Sequence, residues 1–261
     1  MSHVKIPYAL IIAAVVTACA DKGATDTADS VAPIDSVDSE DSADSEDSEV
    51  AATVPAYVGV LDMFQAIWMP GATVTIDGES MTADAEGYVV VDLPQNELIT
   101  VQGAAPGYMN STLVLFTLDD LIRTYVQMLP IAVRDAFSAQ LGVPYDETKG
   151  FYAVQVYSRD EDGASARLAG ATVELDVPYS VALSSDLRSP SLVVPSNVTV
   201  TEAESNAQII FINVEAGPVT TTVTPPAPYT SCYWYRGDTL LQDYSVEIAA
   251  GVVTSVFVYC E

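Results

Sequence analysis

The chain has 261 residues, 49% of them hydrophobic, and a formal net charge of -27 from 36 acidic and 9 basic side chains. That balance speaks against nucleic acid and anionic lipid as partners, because phosphate binding needs clustered Lys and Arg. The single histidine, His3, sits at the extreme N-terminus, so the rest of the chain lacks the usual neutral-pH general base and the commonest metal ligand.

Residues 1–19 read in three parts: a polar start with Lys5, an apolar stretch over 8–16, and a small-residue site. The apolar stretch is far short of the ~20 residues of a spanning helix. Val16-Thr17-Ala18-Cys19 resembles the lipobox of bacterial lipoprotein signal peptides. The resemblance implies a signal peptide over 1–18, lipidation of Cys19, and membrane attachment through more than one acyl chain, as stable anchoring requires. Ala20 after the cysteine implies sorting to an outer membrane. The alternative is an ordinary signal peptide cut near Ala18 or Ala20.

Residues 19–54 form the expected tether. Between 20 and 50 the chain is mainly Asp, Ser, Glu, Ala and Thr without an aromatic residue, too polar to offset chain entropy by burial. It reads as a disordered acidic linker that spaces the folded part from the membrane. A strip that binds divalent cations or a partner is the other reading.

Residues 55–117 alternate apolar and polar positions between Gly and Pro turns, the signature of an all-β sandwich. Ala72, Val74 and Ile76 alternate with Thr73 and Thr75, and Asp77-Gly78 is a tight-turn pair. Within 70–108, a Gly-Ala-x-Val strand is followed by Thr82, Asp84, Gly87, Tyr88, Gly107 and Tyr108. This spacing resembles the carboxypeptidase regulatory-like, or transthyretin-like, domain family. The resemblance implies a seven-stranded prealbumin-like sandwich without enzymatic residues. The turn carboxylates Asp77, Glu79, Asp84 and Glu86 read as solvated turn formers rather than a metal site.

Residues 118–149 change period. Leu118, Leu121, Ile122, Tyr125, Leu129, Val133, Phe137 and Leu141 recur every three or four residues, which predicts an amphipathic helix. Thr117 with Asp120 suggests a capping box, and Pro130 should divide the run into two short helices. The segment reads as a helical connector.

Residues 150–261 repeat the first unit. Gly170-Ala171-Thr172-Val173 stands 99 residues after Gly71-Ala72-Thr73-Val74, and Tyr229 stands 121 after Tyr108, so the second copy carries 22 extra residues between 176 and 208. The expected architecture is therefore two tandem prealbumin-like sandwiches joined by a short helical connector. The enlarged loop, 183–196 above all, is the expected recognition surface.

With Cys19 assigned to lipid, Cys232 and Cys260 are an even pair in an exported chain and a candidate disulfide; free thiols or an intermolecular link are the alternatives. Tyr233, Trp234 and Tyr235 invite a carbohydrate-stacking reading as ligand contacts, but core packing around the disulfide is the preferred one, since on a strand at least one side of the run faces inward. The only acidic clusters eligible for hydrolysis are Asp160, Glu161, Asp162, Glu202 and Glu204, in turn-like segments. The sequence thus points to a non-enzymatic, membrane-anchored envelope lipoprotein for binding, adhesion or envelope structure, without catalytic residues, metal or cofactor. Its partner is an unknown envelope protein or polysaccharide, and the alternative is a carbohydrate-binding accessory at the cell surface.

Overall fold

Alternating burial makes strands of nearly every described segment. The computed structural model describes residues 52–117, 122–159, 165–184, 207–234 and 245–261. Cys19, the acidic tether, Asp120, Tyr235, the carboxylates Asp160, Glu161, Asp162, Glu202 and Glu204, and residues 185–206 of the enlarged loop lie outside them.

In chain order the elements are β1 (Thr53–Asp62), β2 (Ile67–Trp68), β3 (Thr73–Ile76), β4 (Glu79–Thr82), β5 (Tyr88–Pro94), β6 (Leu98–Ala104), β7 (Asn110–Phe116) and β8 (Ile122–Met128). A helix, α1 (Ile131–Leu141), is followed by β9 (Lys149–Arg159), β10 (Ser165–Arg167), β11 (Thr172–Leu175), β12 (Val181–Leu183) and β13 (Gln208–Glu215). The chain closes with β14 (Gly217–Thr224), β15 (Cys232–Tyr233), β16 (Ser245–Ile248) and β17 (Val252–Cys260).

The protein is all-β with sandwiched sheets, and the internal repeat shows in its strand pairing. β1 pairs antiparallel with β5 and parallel with β8; β9 pairs antiparallel with β13 and parallel with β17. The copies do not stand apart. β17 also pairs in parallel with β7, which fuses β4-β3-β6-β7 to β17-β9-β13-β12 in one ten-stranded sheet. The expected separation of two sandwiches by a connector is thereby corrected, since a continuous sheet crosses it within one unit, Glu49–Glu261.

Neighbouring residues of β7 reveal the layering, because successive strand side chains face opposite ways. Leu113 joins a core with Val58, Val60, Val74, Val126 and Met128, under the small sheet of β1, β2, β5 and β8. Val114 joins the opposite core with Val154, Phe211, Val256 and Val258, covered by β11-β14-β16. Tyr152 and Thr221 share a buried hydroxyl hydrogen bond of 2.8 Å between those two layers. On the first face, Phe137 of α1 packs with Phe151, Ile210 and Val253.

The connector needs a second correction. Residues 131–141 are helical, but 122–128 form strand β8. Thr124, Val126 and Met128 are buried while Arg123 is exposed, a period of two that parallel pairing with β1 enforces over the local helical spacing. The Thr117 side chain is engaged on the strand side. Its hydroxyl donates to Pro94 O at 2.6 Å and accepts from Glu97 N at 2.9 Å, tying down the β5–β6 turn.

Asp62 fixes the end of β1. It is fully buried, accepts the amides of Phe64 and Gln65 on Oδ1 at 2.8 and 2.7 Å, and accepts the Tyr108 hydroxyl on Oδ2 at 2.7 Å. Tyr108, half of the Gly-Tyr pair noted in the sequence, thus bolts the turn before β7 to the turn after β1. Hydrogen bonds to a buried charge contribute about 1.5–3 kcal/mol each.

Candidate ligand-binding face

The outer face of the small sheet follows from the alternation of β1. Val54, Ala56, Val58 and Val60 point inward, so Tyr57, Gly59 and Leu61 point outward. Register then assigns their neighbours. Tyr57 lies between Val90 and Arg123, Gly59 between Tyr88 and Tyr125, and Leu61 between Trp68 and Gln127.

Gly59 leaves a notch in this face, and the Trp68 indole fills it. A Cβ on Gly59 would stand 2.6 Å from Trp68 Cζ3 and 3.0 Å from Tyr88 Cε1. A second glycine admits the segment that carries the ring. At Gly87, with φ +88°, a Cβ would stand 2.8 Å from Trp68 Cβ and 3.0 Å from the Met69 amide nitrogen. Tyr88 flanks the indole at 4.7 Å between centroids, and Tyr125 meets it edge-on at 6.1 Å. Such ring pairs stabilise by about 0.5–1.5 kcal/mol beyond area burial. The indole is therefore held in place, yet 40% of Trp68 remains exposed.

The row of rings continues across the seam between the sheets. Tyr125 meets Phe257 at 5.9 Å, Phe257 meets Tyr157 at 6.0 Å, and Tyr157 stacks on Tyr259 at 5.7 Å. Tyr88, Tyr125, Phe257, Tyr157 and Tyr259 are all half-buried. Tyr157 donates to Gln155 Oε1 at 2.8 Å, and Gln208 Nε2 donates to Gln127 Oε1 at 3.0 Å beneath the seam. Burial drives the Tyr157 phenol pKa far above its ordinary value, and the Tyr125 hydroxyl beside it adds to the shift. Burial also raises that of Tyr88, partly offset by the Arg123 guanidinium.

Arg123 lies over the Tyr57 ring, 5.7 Å from its centroid, and Tyr57 is itself 40% exposed. No described carboxylate forms an ion pair with Arg123.

The structure treats the sequence candidates differently. Cys232 and Cys260 are bonded to each other, directly opposite in the β15–β17 register. Tyr233 and Trp234 are only 3% and 7% exposed: Trp234 packs in the core with that disulfide, and Tyr233 is buried opposite Tyr259 with its hydroxyl donating to Glu261 Oε2 at 3.0 Å, so neither is placed as a ligand contact. Asp84 is a turn former, accepting the amides of Glu86 and Tyr88 at 3.0 and 2.8 Å. Among the described residues, no three His, Cys, Asp or Glu side chains are placed to hold a metal, and no helix is long and apolar enough to cross a membrane. Tyr57, Trp68, Tyr88 and Tyr125 were missed by the sequence reading. The available signal was Tyr57 and Gly59 out of phase with the inward Val58 and Val60.

No protein-family model matches the chain, and no curated protein matches it. Among solved structures it is similar to the Bacillus anthracis TIE protein, at 12% identity and a TM-score of 0.26, over 80% of this chain and 34% of that one. It therefore spans about a third of the TIE protein's length. It is also similar to GBS52, the minor pilin of Streptococcus agalactiae, at 10% identity and a TM-score of 0.30, over 79% of this chain and 94% of that one. The shaft pilin SpaA of Lactobacillus rhamnosus GG gives 13% identity and a TM-score of 0.24, over 81% of this chain and 98% of that one. Likeness at these TM-scores carries no argument about what the chain does.

Proposed function

We propose that the chain is a non-catalytic envelope module, held at a membrane by lipid on Cys19, that binds its partner through the outer face of the β1, β5 and β8 sheet. One observation carries this reading: an indole immobilised on Gly59 between Tyr88 and Tyr125 that still leaves 40% of Trp68 in solvent. A fold places so large an apolar group outward at a cost in hydration, and exposed aromatic clusters mark interaction surfaces. The acidic, aromatic-free composition of residues 20–50 fits the same reading, as a spacer between the lipid and the binding module. Attachment at an outer membrane belongs to this proposal and follows from the lipobox resemblance with Ala20.

Sedimentation with isolated envelope material tests the binding face. The chain from residue 20 to 261, which lacks the lipid anchor, is expected to co-sediment and its Trp68→Ala variant to remain in the supernatant while its thermal unfolding stays cooperative. Equal sedimentation of a folded Trp68→Ala would reject the face. Mass spectrometry of the native product tests the anchor: a thioether-linked diacylglycerol at Cys19 is expected, and an unmodified thiol there would reject it.

A further inference from the structure

We infer that the face binds a second copy of this chain, as a reversible two-fold dimer in which Arg123 of each copy meets Asp92 of the other beside an apolar centre of Val90, Tyr57 and Trp68. The inference rests on the binding face proposed above and names its occupant.

What the face exposes is the first ground. Six large hydrophobic side chains are exposed among the described residues; Tyr57, Val90 and Trp68 of this face are three of them, and Ile67 beside Trp68 in β2 is a fourth. The two most exposed are aliphatic, Val90 at 61% and Ile67 at 51%. Branched aliphatic groups offer a partner neither charge nor hydrogen bond, so the surface that suits them is the apolar surface of another protein. The strands beneath are already fixed by pairing on β1, and little ordering of the backbone opposes docking.

The two charges on the face choose the protein. On β5, Val89 and Leu93 point inward, so Tyr88, Val90 and Asp92 point outward. Register puts Asp92 beside Pro55 and Arg123 beside Tyr57, on strands that flank β1 from opposite sides. Both are exposed, and neither forms an ion pair with another described residue. A basic partner would set its charges against Arg123, and an acidic one against Asp92. A second copy, turned about a two-fold axis lying in the interface, brings each residue over the other, because an isologous contact repeats i-to-j as j-to-i. Two opposite-charge contacts then fix the register of the apolar centre.

Size and net charge set how tight the dimer is. β5 and β8 are 7 residues long and flank β1 over a similar length. Three such strands, about 4.8 Å apart and rising about 3.3 Å per residue, make a platform of roughly 330 Å². Stable complexes bury about 800 Å² per partner, so this contact is reversible. The formal charge of -27 on each chain opposes association at long range. At about 0.15 M salt that repulsion is screened beyond about 8 Å, while charges in contact are spared. Attachment of many copies to one surface supplies the local concentration that so small an area needs.

Sedimentation equilibrium of the lipid-free chain, residues 20–261, loaded from about 10 μM to 1 mM in about 0.15 M salt, tests the inference. Its weight-average mass should rise with concentration from monomer toward dimer. Val90→Ser should weaken the dimer several-fold. Arg123→Asp and Asp92→Arg should each weaken it by about tenfold or more, since each creates two like-charge contacts. An equimolar mixture of those two variants should regain the wild-type mass, because each supplies the charge that the other lacks. All three changes are at exposed side chains, and cooperative thermal unfolding checks that the variants fold. A monomer at every concentration, undiminished association of the charge variants, or a mixture that stays monomeric would overturn the inference. Envelope from cells with and without this chain separates the two levels. Trp68-dependent sedimentation with the first and its loss with the second supports the second copy. Trp68-dependent sedimentation with both removes the second copy and keeps the face, and its absence from both removes both.

Discussion

Replacing Val256 by Ala probes whether the two halves unfold together. Val256 is fully buried on β17, in register between Val114 of β7 and Val154 of β9, so it touches the strand pairs of both halves at once. The change deletes two methyl-sized groups at about 0.8 kcal/mol each, and a residual cavity raises the loss to about 2 kcal/mol. With a urea dependence of about 2–3 kcal/mol per molar, the midpoint should fall by roughly 0.7–1 M. The chain supplies its own reporters, because its two tryptophans fall one in each half, Trp68 and Trp234. In Trp68→Phe and Trp234→Phe backgrounds, fluorescence should give coincident transitions that Val256→Ala shifts equally. If the Trp234 signal shifts and the Trp68 signal does not, the halves are independent modules and the continuous sheet does not couple them.

Two further outcomes are expected. Reducing the Cys232–Cys260 bridge, which spans 28 residues, should remove about 3–4 kcal/mol of chain-entropy stabilisation; an unchanged denaturation midpoint in reductant would contradict this. Burial raises the phenol pKa of Tyr108 to about 12, helped by the Asp62 carboxylate, and drives those of Tyr152 and Tyr157 higher still. The fold therefore favours the neutral phenols while the unfolded chain ionises near its ordinary value, so their contribution is complete below about pH 10 and is lost as pH rises through about 12. Denaturation midpoints should fall over that window, and native tyrosinate absorbance should lag that of the unfolded chain. A flat midpoint, or phenols that all titrate together in the native protein, would refute the assignment.

What could be read in advance divides along the range of the forces involved. Strand β3 and the Asp77-Gly78 turn were legible because residues a few positions apart set both. The Gly-Ala-Thr-Val match at an offset of 99 residues was legible for the same reason, and it falls at the starts of β3 and β11. The segment 122–128 was misread because its apolar residues satisfy a helical period as well as a strand period. Only the parallel pairing with β1 chooses between them. Tyr233 and Trp234 left core packing and ligand contact both open, with packing preferred, because sequence shows composition and not facing. The sheet buries them and turns Trp68 onto an open face.

By itself the sequence determined the all-β character and the cysteines available for a bridge, since local periodicity and residue type decide these. Only the tertiary structure decided that β17 would insert between β7 and β9 and weld two sandwiches into one sheet, and that Gly59 would seat an indole brought from β2. Both depend on edges and notches meeting across long stretches of chain, where the choice of partner is made by packing and hydrogen-bond register rather than by any neighbouring residue.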